Sequence, residues 1–245
     1  MMPIITPEWP SPTVARAAFT LRSGGASRPP WESLNLGVHV GDDPAAVAQN
    51  RRRVATALEL PSEPHWLDQV HGTTVLEFGA PPHSTERPTA DAAVTRERGV
   101  VLAIQVADCL PVLLVDDAGT VVGAAHAGWR GLAAGVIERT VAKMGLSGER
   151  LQAWLGPCIG PAHFEVGAEV VESFLAAGDP STAFAVAGSG KWRGDLPAIA
   201  RHRLAALGVQ RIGGGSWCTA ADPIRFFSHR RDRETGRMAA LLWLP

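Results

Sequence analysis

The stretch VVLAIQVADCLPVLLVDDAGTVVGAAH, residues 100–126, decides the fold. It holds three short apolar runs, VVLAIQV, LPVLLV and VVGAAH, separated by ADC and by DDAGT. Runs of this length, rich in β-branched residues and bounded by turn formers, read as buried strands, and the three are expected to lie side by side in the core. Asp116-Asp117-Ala118-Gly119 suits a tight hairpin turn. Closing that turn between Val115 and Thr120 sets Cys109 opposite His126 on one face, with Cβ atoms roughly 4.5–5.5 Å apart, close enough to share one metal ion. A one-residue slip would send the two side chains to opposite faces.

Beyond this hairpin, AGWRGLAAGVIERTVAKMG (127–145) carries Leu132, Val136, Ile137, Val141 and Met144 as one helical stripe, stopped by Gly145. Strands are predicted over 151–155 and around 211–218, and helices over 168–177 and 195–207. Asp195 is the N-cap of the last, with Pro197 in its first turn. On the N-terminal side, Asp42-Asp43-Pro44 reads as a helix start followed by Val47, Val54 and Leu58, with Arg51 to Arg53 toward the polar face. The run 65–70 reads as a strand delivering His71 to its end. The one loose segment, GAPPHSTERP (79–88), is short enough for a surface loop. A single domain over 1–245 is therefore expected. The hairpin and the mixed order of strands and helices favour an α+β fold, with mixed β-sheets packed with helices in a layered sandwich, over a doubly wound one.

The formal net charge is −1 and no long basic block occurs, so neither nucleic acid nor an anionic membrane is expected as partner. The first residues lack the pattern of an export signal, and no apolar run reaches about 18 residues; a cytoplasmic location is expected. Three cysteines, Cys109, Cys158 and Cys218, do not pair completely, which in a reducing compartment favours free thiols or metal ligands. Cys158, between Gly and Pro in LGPCIGP, suits a rigid pocket wall, and Cys218 the core. Neither GxGxxG nor a Walker sequence is present.

The sharpest constellation is His71-Gly72, Asp108-Cys109 and His126-Ala127-Gly128, each where a predicted strand meets a loop. Two imidazoles and a thiolate make a three-ligand zinc set with the fourth position open, the arrangement of catalytic rather than structural zinc. A lone His at a strand end is more often merely hydrogen-bonded, and a lone Cys a small buried apolar group. The hairpin register favours Cys109 with His126, but nothing in the spacing ties in His71.

The segments NLGVHVGDDPAAVAQNR, QVHGTTV, DAAVT, ADCLPVLLVD, VGAAHAGWRGLAAGV, LGPCIGPAHFEVGAEV and FFSHRRDRETGRMAALLW run in order from Asn35 to Trp243. Together they resemble the YfiH-like family, also called laccase-domain or polyphenol oxidase proteins and regarded as multifunctional purine nucleoside phosphorylases. The resemblance implies zinc on His71, Cys109 and His126. It also implies a sandwich-like, monomeric domain that phosphorolyses adenosine, inosine and S-methyl-5'-thioadenosine and deaminates adenosine. Zinc lowers the pKa of water toward about 7 and polarises an electrophile, which suits the deamination; phosphorolysis needs a site for a phosphate dianion. Asp108 is then a general base or a ligand orienter, or an ordinary turn carboxylate. Asn35 and Gln69 can read a purine edge or ribose hydroxyl, or satisfy backbone. Arg130, opening the helix after His126, can receive phosphate or form a solvated salt bridge. His229, Arg230 and Arg231 form a second candidate anion site, or simply an exposed charged face. Multicopper oxidation lacks support, since eight His include no His-X-His, although copper can compete for the same His/Cys site. The rival reading makes Cys109 a nucleophile with His126 or His71 as base, in a hydrolase or amidase acting on a peptidoglycan precursor, the role assigned to some relatives.

Overall fold

The computed structural model describes residues 3–84 and 86–245. In chain order the elements are β1 (Ile4–Ile5), β2 (Arg16–Thr20), α1 (Pro44–Ala57), β3 (His65–Trp66), β4 (Val75–Glu77), β5 (Ala92–Thr95), β6 (Val101–Val106), β7 (Leu110–Asp116) and β8 (Val122–Ala127). There follow α2 (Trp129–Ala133), α3 (Val136–Met144), β9 (Leu151–Leu155), β10 (Glu165–Val166), α4 (Ala168–Ala176), β11 (Phe184–Gly188), β12 (Lys191–Gly194), α5 (Leu196–Ala206), β13 (Arg211–Gly214), α6 (His229–Asp232) and β14 (Met238–Trp243). One mixed sheet runs β1-β2-β14-β6-β3 and a second runs β13-β9-β7-β8-β5-β4, with a small sheet β10-β12-β11 beside them in the chain's second half.

The two large sheets share a core. Leu102 and Ile104 of β6 and Ala240 of β14 meet Leu113 and Val115 of β7 and Trp154 of β9 there. The alternate residues point outward and are covered as well. Val112 and Leu114 pack beneath Val136, Ile137 and Val141 of α3 and Ile199 of α5, while Val101, Ala103 and Leu241 pack beneath Val54 of α1 with Leu34 and Leu36. The result is a helix–sheet–sheet–helix sandwich, the layered α+β architecture expected. It also explains why β6 and β7 are buried at every position: strands covered on both faces read as continuous apolar runs.

That same continuity hides which sheet a strand joins. The three apolar runs are not all neighbours: β7 pairs with β8, but β6 lies between β14 and β3 in the other sheet. The chain crosses from one sheet to the other over Ala107-Asp108-Cys109, with Asp108 held at φ 103°. The hairpin register also differs from the expected one by two residues. Val115 stands opposite Val122 and Pro111 opposite His126, so Cys109 lies just beyond the end of β7. The buried Asp116 side chain sets this register. It accepts from Thr120 N (2.6 Å), Thr120 Oγ1 (2.8 Å) and Val121 N (2.9 Å), lengthening the turn. A shift of two preserves the face, so Cys109 and His126 still approach each other, diagonally.

Three further expectations are revised. The stripe 127–145 is two helices, broken where Gly135 takes φ 93°, a conformation costly for any residue with a Cβ; its five apolar residues are nevertheless all buried. The strand before His71 is only His65–Trp66, and His71 itself sits in a turn at φ 62°. The strand expected around 211–218 ends at Gly214. Both capped starts are as read: Asp43 accepts from Ala45 N and Asp195 from Ala198 N, each at 2.9 Å.

Asp116→Ala leaves three donors of the β7–β8 turn without their acceptor. The expected loss of stability in urea denaturation is about 2–4 kcal/mol; a loss under about 0.5 kcal/mol would mean that the turn closes without this carboxylate.

Candidate metal centre and its cavity

His71, Cys109 and His126 come from three different places in the chain and bring one ligand atom each to within 4.8 Å of one another. His126 is carried by β8, Cys109 by the crossing between the sheets, and His71 by the turn after β3. Asp91, just before β5, fastens two of them. Its fully buried carboxylate accepts from His71 N (2.8 Å), Gly72 N (2.6 Å) and Val70 N (3.3 Å) on one side and from His126 Nδ1 (2.8 Å) on the other. Burial alone would push the Asp91 carboxyl up, but these hydrogen bonds, that from His126 foremost, hold it below the usual range. Gly128 permits the close approach: a Cβ there would stand 2.8 Å from His71 Cδ2 and 2.9 Å from Cys109 Sγ.

The donor set fits a metal ion. Zinc bonds of about 2.3 Å to sulfur and about 2.0–2.1 Å to nitrogen in a tetrahedron put S and N roughly 3.5 Å apart, and Cys109 Sγ lies 3.6 Å from His71 Nε2. With Nδ1 of His126 donating to Asp91, its Nε2 is left to face the centre, the carboxylate–histidine pairing that orients metal ligands. In the protein without metal the same three groups are electrostatically coupled. Burial would raise the Cys109 thiol, yet the charge of His126 and hydrogen bonds from His126 and His71 outweigh it and bring it to about 6. Burial works against a charged His126 ring, but the Cys109 thiolate and Asp91 raise it above its ordinary value. A thiol already ionised at neutral pH suits metal binding, which requires the thiolate.

The triad opens on a cavity of about 350 Å³. Of the residues singled out from sequence, Gln69, Arg130 and His229 line it. Gln69 is engaged with the main chain, donating to Gln105 O (2.9 Å) and accepting from Gln105 N (2.8 Å). His229 Nδ1 donates to Arg233 O (2.7 Å). Asn35 and Arg230 are not brought to the cavity. The buried Asn35 amide donates to Asp42 and Gly37 O and accepts from the N–H groups of Gly37 and Arg237. The Arg230 guanidinium donates to the carbonyls of His163 and Glu165. The Asp108 carboxylate accepts from Thr219 Oγ1 and from Arg230 N, both at 2.6 Å, bracing the crossing next to Cys109. Arg231 donates to the carbonyls of Thr219, Ala220 and Phe226.

Asp91, His39, Gln105 and Arg237 carry no functional signal in the sequence. The last three line the cavity, and the buried amide of Gln105 has no partner at either end among the described residues. Only the need of a metal-binding His for a carboxylate at its second nitrogen could have drawn attention to the Asp of DAAVT.

Asp91→Asn sets an amide N–H₂ against the donors that a carboxylate now receives. Metal affinity, measured by competition with a chelating dye, is expected to fall about 10- to 100-fold. In metal-free protein, iodoacetamide should modify Cys109 at a rate that levels off above about pH 7, and bound metal should suppress the reaction; a rate still climbing through about pH 8.5 would contradict the depressed thiol.

Four likenesses to known proteins bear on this site. Residues 16–245 match the family described as multi-copper polyphenol oxidoreductase laccase. The chain is 49% identical over 244 residues to the purine nucleoside phosphorylase YfiH of Escherichia coli K12, covering all of both chains. It is 52% identical over 242 residues to the purine nucleoside phosphorylase PA4543 of Pseudomonas aeruginosa, covering 98% of each. The crystal structure of Neisseria meningitidis protein NMB0706 superposes with a TM-score of 0.91 at 45% identity, covering 98% of each chain. With the layered fold and the His/Cys/His cluster in place, these likenesses make the chain a member of the YfiH-like family.

Proposed function

We propose that the protein is a zinc-dependent purine nucleoside phosphorylase, acting on adenosine, inosine and S-methyl-5'-thioadenosine, that also deaminates adenosine. The observation that carries the reading is the open three-ligand set His71, Cys109 and His126 at the wall of a cavity of about 350 Å³, a volume in the range of small-molecule sites. The full-length likeness to proteins named purine nucleoside phosphorylase supplies the substrate class. Zinc, when bound, supplies Lewis acidity and lowers the pKa of water toward about 7.

The chain's own groups divide the remaining work. Cys109 serves as ligand, with Asp91 locking the His126 ring and the His71 turn. Asp108 acts by position, since its carboxylate is taken up by Thr219 and Arg230 N. Gln69 fixes the end of β6 through the main chain of Gln105. The unpartnered Gln105 amide on the same wall is suited to a donor–acceptor edge of the base. Phosphorolysis moves the anomeric carbon of ribose from the purine nitrogen to a phosphate oxygen, and the cavity's cationic side chains favour the phosphate dianion and the charge on the departing base.

The depressed Cys109 thiol beside two imidazoles also supports the second reading, a cysteine hydrolase acting on a peptidoglycan precursor. The two separate experimentally. Zinc-loaded, copper-free protein incubated with adenosine should yield adenine and ribose 1-phosphate only when phosphate is present, and inosine with or without it. Chelation, His71→Ala, Cys109→Ala and His126→Ala should each lower turnover at least about a hundredfold. If no nucleoside changes while the metal site is filled, the purine reading fails, and muropeptides become the substrates to test with Cys109 as nucleophile.

A further inference from the structure

The cavity beside the triad has a charge imbalance that metal binding does not use. Two guanidinia, Arg130 and Arg237, stand on its walls, and among the described residues no Asp or Glu lines it. Arg237 immediately precedes β14 and is fixed rather than waving in solvent. Its N–H donates to the buried Asn35 Oδ1 (2.8 Å), its Nη1 donates to the carbonyls of Thr235 and Gly236 (3.0 Å each), and its stem lies against Gly37. Among the described residues its Nε and Nη2 have no acceptor and no carboxylate reaches it. Arg130 stacks on Trp129, its guanidinium carbon 4.3 Å from the ring centre, and it too lacks a carboxylate partner among the described residues.

A half-buried guanidinium without a counter-charge is costly. Burial indeed pulls Arg237 below its ordinary range, against the opposing charges of Cys109 and Asp108. Neither of those answers for it: the Asp108 oxygens accept from Thr219 and Arg230 N, and Cys109 is matched by His126 and His71. Guanidinium geometry favours planar, bidentate pairing with an oxyanion. His39 and His229 add imidazole nitrogens to the same walls.

We propose that Arg237 and Arg130 form the subsite for a tetrahedral oxyanion, inorganic phosphate, beside the metal triad. Arg237 is the fixed fork, braced from behind by Asn35, and Arg130 is the adaptable arm. The identity of the anion as co-substrate rests on the phosphorylase reading; the site's preference for an anion rests on charge alone. Arg230 and Arg231, the other candidate arginines, have their guanidinia committed, Arg230 to the carbonyls of His163 and Glu165 and Arg231 to main-chain carbonyls and Asp232.

The test is calorimetric titration of the full, zinc-loaded chain with inorganic phosphate in the absence of nucleoside. Arg237→Gln and Arg130→Gln should each weaken binding about tenfold or more, Arg237→Lys should recover part of the loss, and Arg52→Gln on the exposed side of α1 should leave it unchanged. Metal content and thermal unfolding check that Arg237→Gln is folded; Arg130, held only by stacking, gives a second variant that folding does not confound. In turnover assays the same two variants should raise KM for phosphate more than KM for nucleoside. No phosphate binding to the wild type, or binding and phosphate KM unaltered in both variants, overturns the subsite. Nucleoside phosphorolysis with unaltered phosphate KM overturns the subsite while leaving the phosphorylase reading intact. Arginine-dependent phosphate binding without nucleoside turnover upholds the subsite and removes the phosphorylase reading.

Discussion

One buried carboxylate holds the site together. Asp91 satisfies three consecutive main-chain donors, Val70, His71 and Gly72, and the ring of His126. Donors of this kind, left unmatched away from water, cost several kcal/mol together, so the turn that carries His71 is stable only where Asp91 receives it. That turn has little regular structure of its own, because β3 is two residues long, and His71 adopts a backbone conformation unusual for a residue with a side chain. The carboxylate thus converts a weak local element into a rigid arm that points an imidazole at Cys109.

The second constraint is the crossing between sheets. Because β6 and β7 belong to facing layers, the three residues between them span the edge of the sandwich, where side chains can face a cavity without leaving the core open. Asp108 braces that crossing by accepting from Thr219 and Arg230 N, and its carbonyl accepts from Ile159 N. Segments far apart in sequence therefore meet at one point, and the seven segments that carry the family likeness are largely the parts of this assembly.

The donor set bears on the family's description as multi-copper oxidoreductases. Among the described residues one cluster of metal-binding side chains is present, with three ligands, whereas the relatives from Escherichia coli and Pseudomonas aeruginosa are named for nucleoside chemistry. Two imidazoles and a thiol at the wall of a cavity that also carries two guanidinia would leave a bound metal one coordination position open, the arrangement of catalytic rather than structural metal sites.

Local order was decided by the sequence itself. The helix starts at Asp43 and Asp195, the apolar stripe from Leu132 to Met144, the strand 151–155 and the doubly buried runs of residues 100–127 all follow from capping chemistry and hydrophobic periodicity, which act over a few residues. So did the face shared by Cys109 and His126, since side-chain alternation survives a two-residue shift in register. Tertiary structure alone decided which sheet each run joins, because a strand covered on both faces carries no mark of its neighbours. It alone brought His71 to Cys109 and His126, set Asp91 between the two imidazoles and turned Arg237 toward the cavity. These contacts join residues 20 to 202 positions apart, and no local pattern encodes a partner at that distance.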